Sequence, residues 1–206
     1  MVARTRENIQ VVGKKNLYEK FFKVDEYRLK FPLYNGEMSG EISREVMERG
    51  RAAGVLLYDP DLDKVVFVEQ MRVGVFAAGD ENPWVLECVA GILDHANESP
   101  ADVVAREAAE EAGAAVTAVE PVCEYYSSPG GLSEKLYVYC GRVDASRVPE
   151  HAGLESEDED IRVVVLSAAE VEEMLSRGKF NNALTIIAVQ WFVMNREKLR
   201  KKWGKS

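Results

Sequence analysis

Apolar residues along this chain fall in short runs near the N-terminus, longer unbroken runs in the middle, and helical spacing toward the end. Residues 9–12, 18–24 and 27–33 are rich in β-branched and aromatic side chains with partial alternation, which predicts three strands. Asn35-Gly36 follows them as a turn dipeptide. A sheet that small buries little apolar surface unaided, so it is expected to pack on the rest of the chain or on a second subunit. From Arg51 the rhythm changes. Residues 52–58 are apolar, Asp59-Pro60-Asp61 interrupts them, and residues 64–69 return as the second arm of a hairpin. Residues 77–83 read as a loop and 84–90 as a further strand that stops at Gly91. Ser99 as a cap, Pro100 at the first helical position, Asp102 in the first turn and Gly113 as a stop predict a helix over 99–112. Strands are expected at 119–126 and 136–143, separated by the turn-rich SSPGG, and again at 161–166. A helix over 167–177 opens on the capping box Ser167–Glu170. A last helix over 182–202 is apolar first and basic at its end. The sum is a mixed α/β or α+β fold with mostly antiparallel pairing and three helices.

Composition narrows the function classes. The chain has 206 residues, 47% hydrophobic and 30% charged, enough for one ordinary domain or a core domain with a small appendage. A formal net charge of −9 counts against non-specific nucleic-acid binding, which draws on Lys and Arg. No apolar run approaches a membrane span, and the N-terminus lacks a signal-peptide layout. Neither nucleic acid nor membrane is expected as a partner. Cys88, Cys123 and Cys140 are few and widely spaced, so a reducing cytoplasm is expected, with the cysteines as packing residues. His95 and His151 read as exposed loop histidines, and Trp84 and Trp191 as core. From Arg196 onward six basic residues face one acid, a favourable charge for a helix C-terminus.

The acid is clustered. Glu107, Glu110 and Glu111 stand in REAAEEAG; Glu155, Glu157, Asp158, Glu159 and Asp160 stand in GLESEDEDIR. Glu107 and Glu111 are four apart and share a helix face, with Glu110 beside them. Arg106 can meet Glu110 but cannot serve all three. A hard divalent cation, Mg²⁺ or Mn²⁺, is a natural counter-charge for clustered oxygen ligands.

Gly91, Glu98, Arg106, Glu107, Glu110, Glu111 and Gly113 occur as G-x6-E-x7-R-E-x2-E-E-x-G. This resembles the Nudix box, G-x5-E-x7-R-E-U-x-E-E-x-G-U with U apolar, of the Nudix hydrolase superfamily. Ala108 and Ala114 stand at the U positions, and one extra residue lies between Gly91 and Glu98. LYNGEMS, SREVMERGRAA, VVFVEQMRVG, NPWVLECVAGIL, SSPGGLSEKLYVYCGRVD, EDEDIRVVVLS and NNALTIIAVQWF look like the ADP-ribose pyrophosphatase branch over almost the whole chain. The resemblance implies an α+β fold, an α/β/α sandwich of Nudix type over 48–206. It implies a small N-terminal antiparallel β domain over 1–47, exchanged across a homodimer. It implies hydrolysis of a nucleoside diphosphate sugar, ADP-ribose first and a GDP-sugar as the alternative. A binding module without hydrolysis is a further alternative, weakened by the full set of box carboxylates.

The same resemblance implies roles. Glu107, Glu110, Glu111, the carbonyl of Ala90 and Glu159 match metal ligands. Glu157 matches the general base, and Glu134 is a second acid near the site. Arg44 and Arg72 match basic residues near the substrate, and Phe21 an aromatic that stacks on the adenine. Glu98 and Arg106 match a brace between loop and helix, flanked by Gly91 and Gly113.

Overall fold

The computed structural model describes residues 4–94 and 97–204, so His95 lies outside the described residues. Three N-terminal strands, β1 (Gln10–Glu19), β2 (Lys23–Lys30) and β3 (Ile42–Glu48), form an antiparallel sheet with β2 in the centre. The expected strand over 18–24 is instead a hairpin: Tyr18 pairs with Val24, and Lys20 N–H donates to the Phe22 carbonyl. No Gly or Pro marks that turn, so the β-rich pattern runs straight through it. Residues 27–30 belong to β2. The third strand is the more polar ISREVME, whose half-exposed face carries no clean alternation. Asn35 and Gly36 do sit in the turn between β2 and β3, with Gly36 at φ 92°.

The chain divides into two units. The first runs through Gly50 and takes in Tyr126–Lys135; the second is Arg51–Tyr125 with the rest of the chain from Leu136. In the first, the bridge Met47–Leu132 and the bond from Ser133 N–H to the Met47 carbonyl attach the later segment to β3.

The second unit contains β4 (Arg51–Asp59), β5 (Lys64–Met71), β6 (Trp84–Glu87), β7 (Val89–Ile92), β8 (Ala118–Tyr126), β9 (Lys135–Arg142), β10 (His151–Ala152) and β11 (Ile161–Ser167), with the ends of β8 and β9 reaching into the first. Their order is β10-β11-β5-β4-β9-β8, with β6 on β5 and β7 on β4. The helices are α1 (Val73–Ala78), α2 (Pro100–Ala112), α3 (Ala168–Ser176) and α4 (Ala183–Trp203).

Alternation on β4 and β5 builds two cores. Leu56, Tyr58, Val65 and Phe67 pack with Ala188, Val189 and Phe192 of α4 and Val171 of α3. Ala53, Val55, Leu57, Val66 and Val68 pack with Val103, Val104, Ala108 and Ala112 of α2. The sheet is therefore covered on both faces, which is why its strands read as continuous apolar runs.

Among the described residues four α-helices stand where three helices were expected. The short α1 begins between the expected strand over 64–69 and the expected loop over 77–83 and runs into that loop; it has no side-chain cap and ends at Gly79 at φ 86°. Residues 84–90 are two strands rather than one, because Cys88 N–H turns to the Thr185 hydroxyl on α4 at 3.0 Å. Trp84 is 55% exposed, not core, and Cys123 is exposed, whereas Cys88 and Cys140 are buried. The basic end of α4 pairs Lys198 and Lys202 with Glu120 of β8.

Candidate active site

Helix α2 is fixed at both ends by its own sequence. Asp102 N–H donates to the Ser99 hydroxyl, Ser99 N–H returns a bond to Asp102 Oδ2 at 3.0 Å, and Gly113 closes the helix at φ 58°. Val103, Val104, Ala108 and Ala112 lie against the sheet. Glu111 shares that buried stripe and is 4% exposed, an unusual place for a carboxylate. Ala90 N–H at β7 donates to its Oε2 at 3.2 Å. Burial, reinforced by Glu107 and Glu159, pushes Glu111 up to about 8, against the pull of Ala90 N–H and Arg72.

Glu107 is raised as well, chiefly by burial and further by Glu110 and Glu159, with Arg106 opposing. Gly91 is glycine for a local reason: a Cβ there would lie 1.8 Å from Glu107 Oε1. Arg106 gathers the loop and helix together. Its Nε donates to Glu98 Oε1 at 3.0 Å, and its Nη1 to Glu107 Oε1 at 2.7 Å and Glu110 Oε2 at 3.1 Å. It does not reach Glu111. Among the described residues no three carboxylate, imidazole or thiol groups converge into a finished metal centre; Arg106 occupies two of the α2 carboxylates.

The second acidic cluster stands on the loop between β10 and β11. Gly153 N–H bonds the Glu110 carbonyl at 3.1 Å, tying this loop to the end of α2. Glu157 N–H and Glu159 N–H both donate to the Leu154 carbonyl, and Leu154 N–H returns to Glu159 Oε2 at 3.2 Å. Asp158 takes a left-handed φ of 57°. Glu159 is half-buried, and its charge is felt by Glu107 and Glu111; Glu157 is exposed on the same turn.

Arg72 follows β5 and precedes α1. Its Nε donates to Glu87 Oε1 at 2.5 Å, while Asn182 Nδ2 donates to Glu87 Oε2 at 2.8 Å. Glu87 is 3% exposed, and burial raises its carboxyl despite both partners. Sequence reasoning missed Glu87 and Asn182 as the supports of Arg72. The available signal was a lone acid inside the apolar run WVLECVAG.

Phe21, Arg44 and Glu134 belong to the first unit. Phe21 is 80% exposed on the β1–β2 hairpin, edge-on to Phe22 at 5.0 Å. The Arg49 guanidinium lies 5.5 and 5.2 Å from the two ring centroids, and its Nε is 3.6 Å from Glu134 Oε1. Ser127 Oγ donates to the other Glu134 oxygen at 2.8 Å. Arg44, on β3, is exposed and bonds only the Ser43 carbonyl among the hydrogen bonds described for it. Arg49, which joins Phe21 to Glu134, is a third residue that the sequence did not single out.

Buried hard-oxygen donors held under like-charge strain suit a divalent cation, whose charge would relieve the burden on Glu107 and Glu111. Arg72, anchored by Glu87, suits an anionic oxygen. The exposed Glu157 suits transfer of a proton from water.

Comparisons with known proteins show the family of the chain. The NUDIX domain model matches residues 48–187. The ADP-ribose pyrophosphatase of Escherichia coli (strain K12) is 41% identical over 199 residues, covering 97% of this chain and 94% of that protein. That of Haemophilus influenzae is 34% identical over 204 residues, covering 98% and 94%. The GDP-mannose pyrophosphatase of Pectobacterium atrosepticum is 35% identical over 182 residues, covering 88% and 92%. A crystal structure of an ADP compounds hydrolase has the same fold, with a TM-score of 0.70 at 19% identity and coverage of 98% and 99%. The family model over most of the chain and the near-full-length relatives lead to one conclusion: the chain belongs to the Nudix hydrolase family, on the branch of the ADP-ribose pyrophosphatases.

Proposed function

We propose that this protein hydrolyses the pyrophosphate bond of ADP-ribose, giving AMP and ribose 5-phosphate. The observation that carries the reading is the 41% identity over 97% of the chain to an ADP-ribose pyrophosphatase, joined to an intact set of box carboxylates around the buried Glu111. Glu107, Glu110, Glu111, Glu159 and the Ala90 carbonyl are read as holding Mg²⁺, or Mn²⁺ in its place. When bound, the cation supplies charge neutralisation and activation of water. Glu157 is read as taking the proton from the attacking water, with Glu134 as the second candidate. Arg72 and Arg44 are read as holding phosphate oxygens, and Phe21 as stacking on the adenine, an interaction typically worth about 1–3 kcal/mol.

The working form is read as a cytoplasmic homodimer in which the three-stranded sheet is exchanged between copies. Support comes from apolar side chains left in solvent on both units: Val11, Tyr18 and Phe21 on one, Val73, Phe76 and Trp84 on the other. Size-exclusion chromatography with light scattering should give the mass of two chains; one chain's mass would contradict the dimer.

A GDP-sugar is the second reading, supported by the GDP-mannose pyrophosphatase relative, which is 35% identical but covers less of this chain. A panel comparing kcat/KM for ADP-ribose and GDP-mannose with Mg²⁺ separates the two. ADP-ribose should be preferred; a preference for GDP-mannose would overturn the substrate assignment.

A further inference from the structure

Among the described residues, two buried side-chain polar atoms lack a hydrogen-bond partner, Asp25 Oδ2 and Gln70 Nε2. Asp25 Oδ2 lies 2.8 Å from Lys14 Nζ, so its charge is met. Gln70 is neutral, its side chain is on a residue only 7% exposed, and its amide hydrogens go unanswered. An unpaired buried donor weakens a fold, and such a group calls for a reason.

The direction of the side chain follows from the strand. Val66, Val68 and Gln70 alternate onto one face of β5, and Val66 and Val68 pack in the core shared with α2. Glu69 pairs with Arg162, so Gln70 stands beside the end of β11 where the Glu159 loop enters. Its partner on β6 is the buried Val85. The next residue on the same face is Arg72, which is anchored by Glu87 and near enough to Glu111 to draw on its charge. Gln70 therefore lies between closed apolar core and the charged end of the site. Carboxylate oxygens of the site already accept other donors. Both oxygens of Glu87 accept, from Arg72 and Asn182; Glu111 Oε2 accepts from Ala90; Glu159 Oε2 accepts from Leu154.

We infer that Gln70 is a substrate-binding residue whose amide Nε2 donates to a non-bridging oxygen of the pyrophosphate, next to Arg72. The inference rests on the pyrophosphatase reading above. Arg72 brings charge to the phosphates; Gln70 brings a neutral, directed donor that orients one oxygen without competing for the cation. The donor stays unpaired in the free enzyme and gains its acceptor only with substrate, so the fold gives up stability in favour of binding.

The test measures binding and stability together. Gln70→Leu and Gln70→Met both remove the amide at similar volume. Isothermal titration uses the α,β-methylene analogue of ADP-ribose with Mg²⁺, and separately Mn²⁺ alone; Tm is measured on the same proteins. The expected result is a Tm equal to or above wild type, unchanged Mn²⁺ affinity, and analogue binding weakened about 10- to 100-fold. Wild-type analogue affinity in either folded variant would overturn the inference. So would a fall in Tm in both variants, which would mean the amide has a structural partner, or a loss of Mn²⁺ affinity, which would place its action on the cation. If the wild-type protein itself did not bind the analogue, the pyrophosphatase reading would fail and the inference with it.

Discussion

Two acidic runs in this chain look alike on paper and are opposites in the structure. On α2, helical spacing turns Glu111 onto the stripe that packs against the sheet, and burial drives its carboxyl up to about 8. On the β10–β11 loop, Glu157 stands in solvent on a tight turn fixed by bonds to Leu154. A run of acids is usually a solvated face. The loop run fits that description over most of its length; the helical run does not, because its backbone periodicity overrides the preference of carboxylates for water. A buried acid that is kept despite its cost fits a group that meets a cation, and an exposed acid on a bound turn fits one that exchanges protons.

The largest effect should come from Glu111→Gln. Removing a ligand should abolish cation-dependent hydrolysis and also weaken Mn²⁺ binding in a titration, a combined loss greater than the roughly 10²–10⁴-fold typical of a lost general base. Glu157→Gln should fall within that roughly 10²–10⁴-fold range in kcat while leaving Mn²⁺ affinity at the wild-type level. Near-normal turnover in Glu157→Gln would move the base to Glu134. Gly91→Ala drives a methyl into Glu107 and should destabilise by about 1–3 kcal/mol in denaturant unfolding, with activity lost through Glu107.

Smaller changes sharpen the contrast from outside the clusters. Ser99→Ala removes the cap of α2 and should cost about 1 kcal/mol, with kcat nearly kept. Asp63 provides the opposite electrostatic case. Burial raises its carboxyl, but hydrogen bonds from Arg196 and Tyr58 outweigh burial and hold it below the usual 3.8. Its stabilising contribution is present above that value and is lost as pH falls through the lowered one. Asp63→Asn should therefore flatten the acid limb of a stability–pH curve while leaving the neutral region less stable than wild type.

Local signals made much of this legible from the sequence. Ser99, Pro100, Asp102 and Gly113 delimited α2 because caps act through the nearest backbone. The spacing of Glu107 and Glu111 placed both on one helix face for the same reason. What stayed hidden is non-local or unmarked. The β1–β2 hairpin turns without Gly or Pro, α1 starts without a side-chain cap, and residues 84–90 split because β6 and β7 choose different partners. Glu87, Gln70 and Arg49 gain their meaning only from tertiary neighbours: a buried pair with Arg72, an unanswered amide, and a guanidinium between Glu134 and two rings.

The most direct test of the central claim is the release of AMP from ADP-ribose by purified protein, followed by chromatography with Mg²⁺, with excess EDTA, and in Glu111→Gln. The account predicts AMP and ribose 5-phosphate in equal amounts with Mg²⁺, and neither product with EDTA or in the variant. Absence of AMP from the wild-type protein at any divalent cation concentration, or undiminished release by Glu111→Gln, would contradict it.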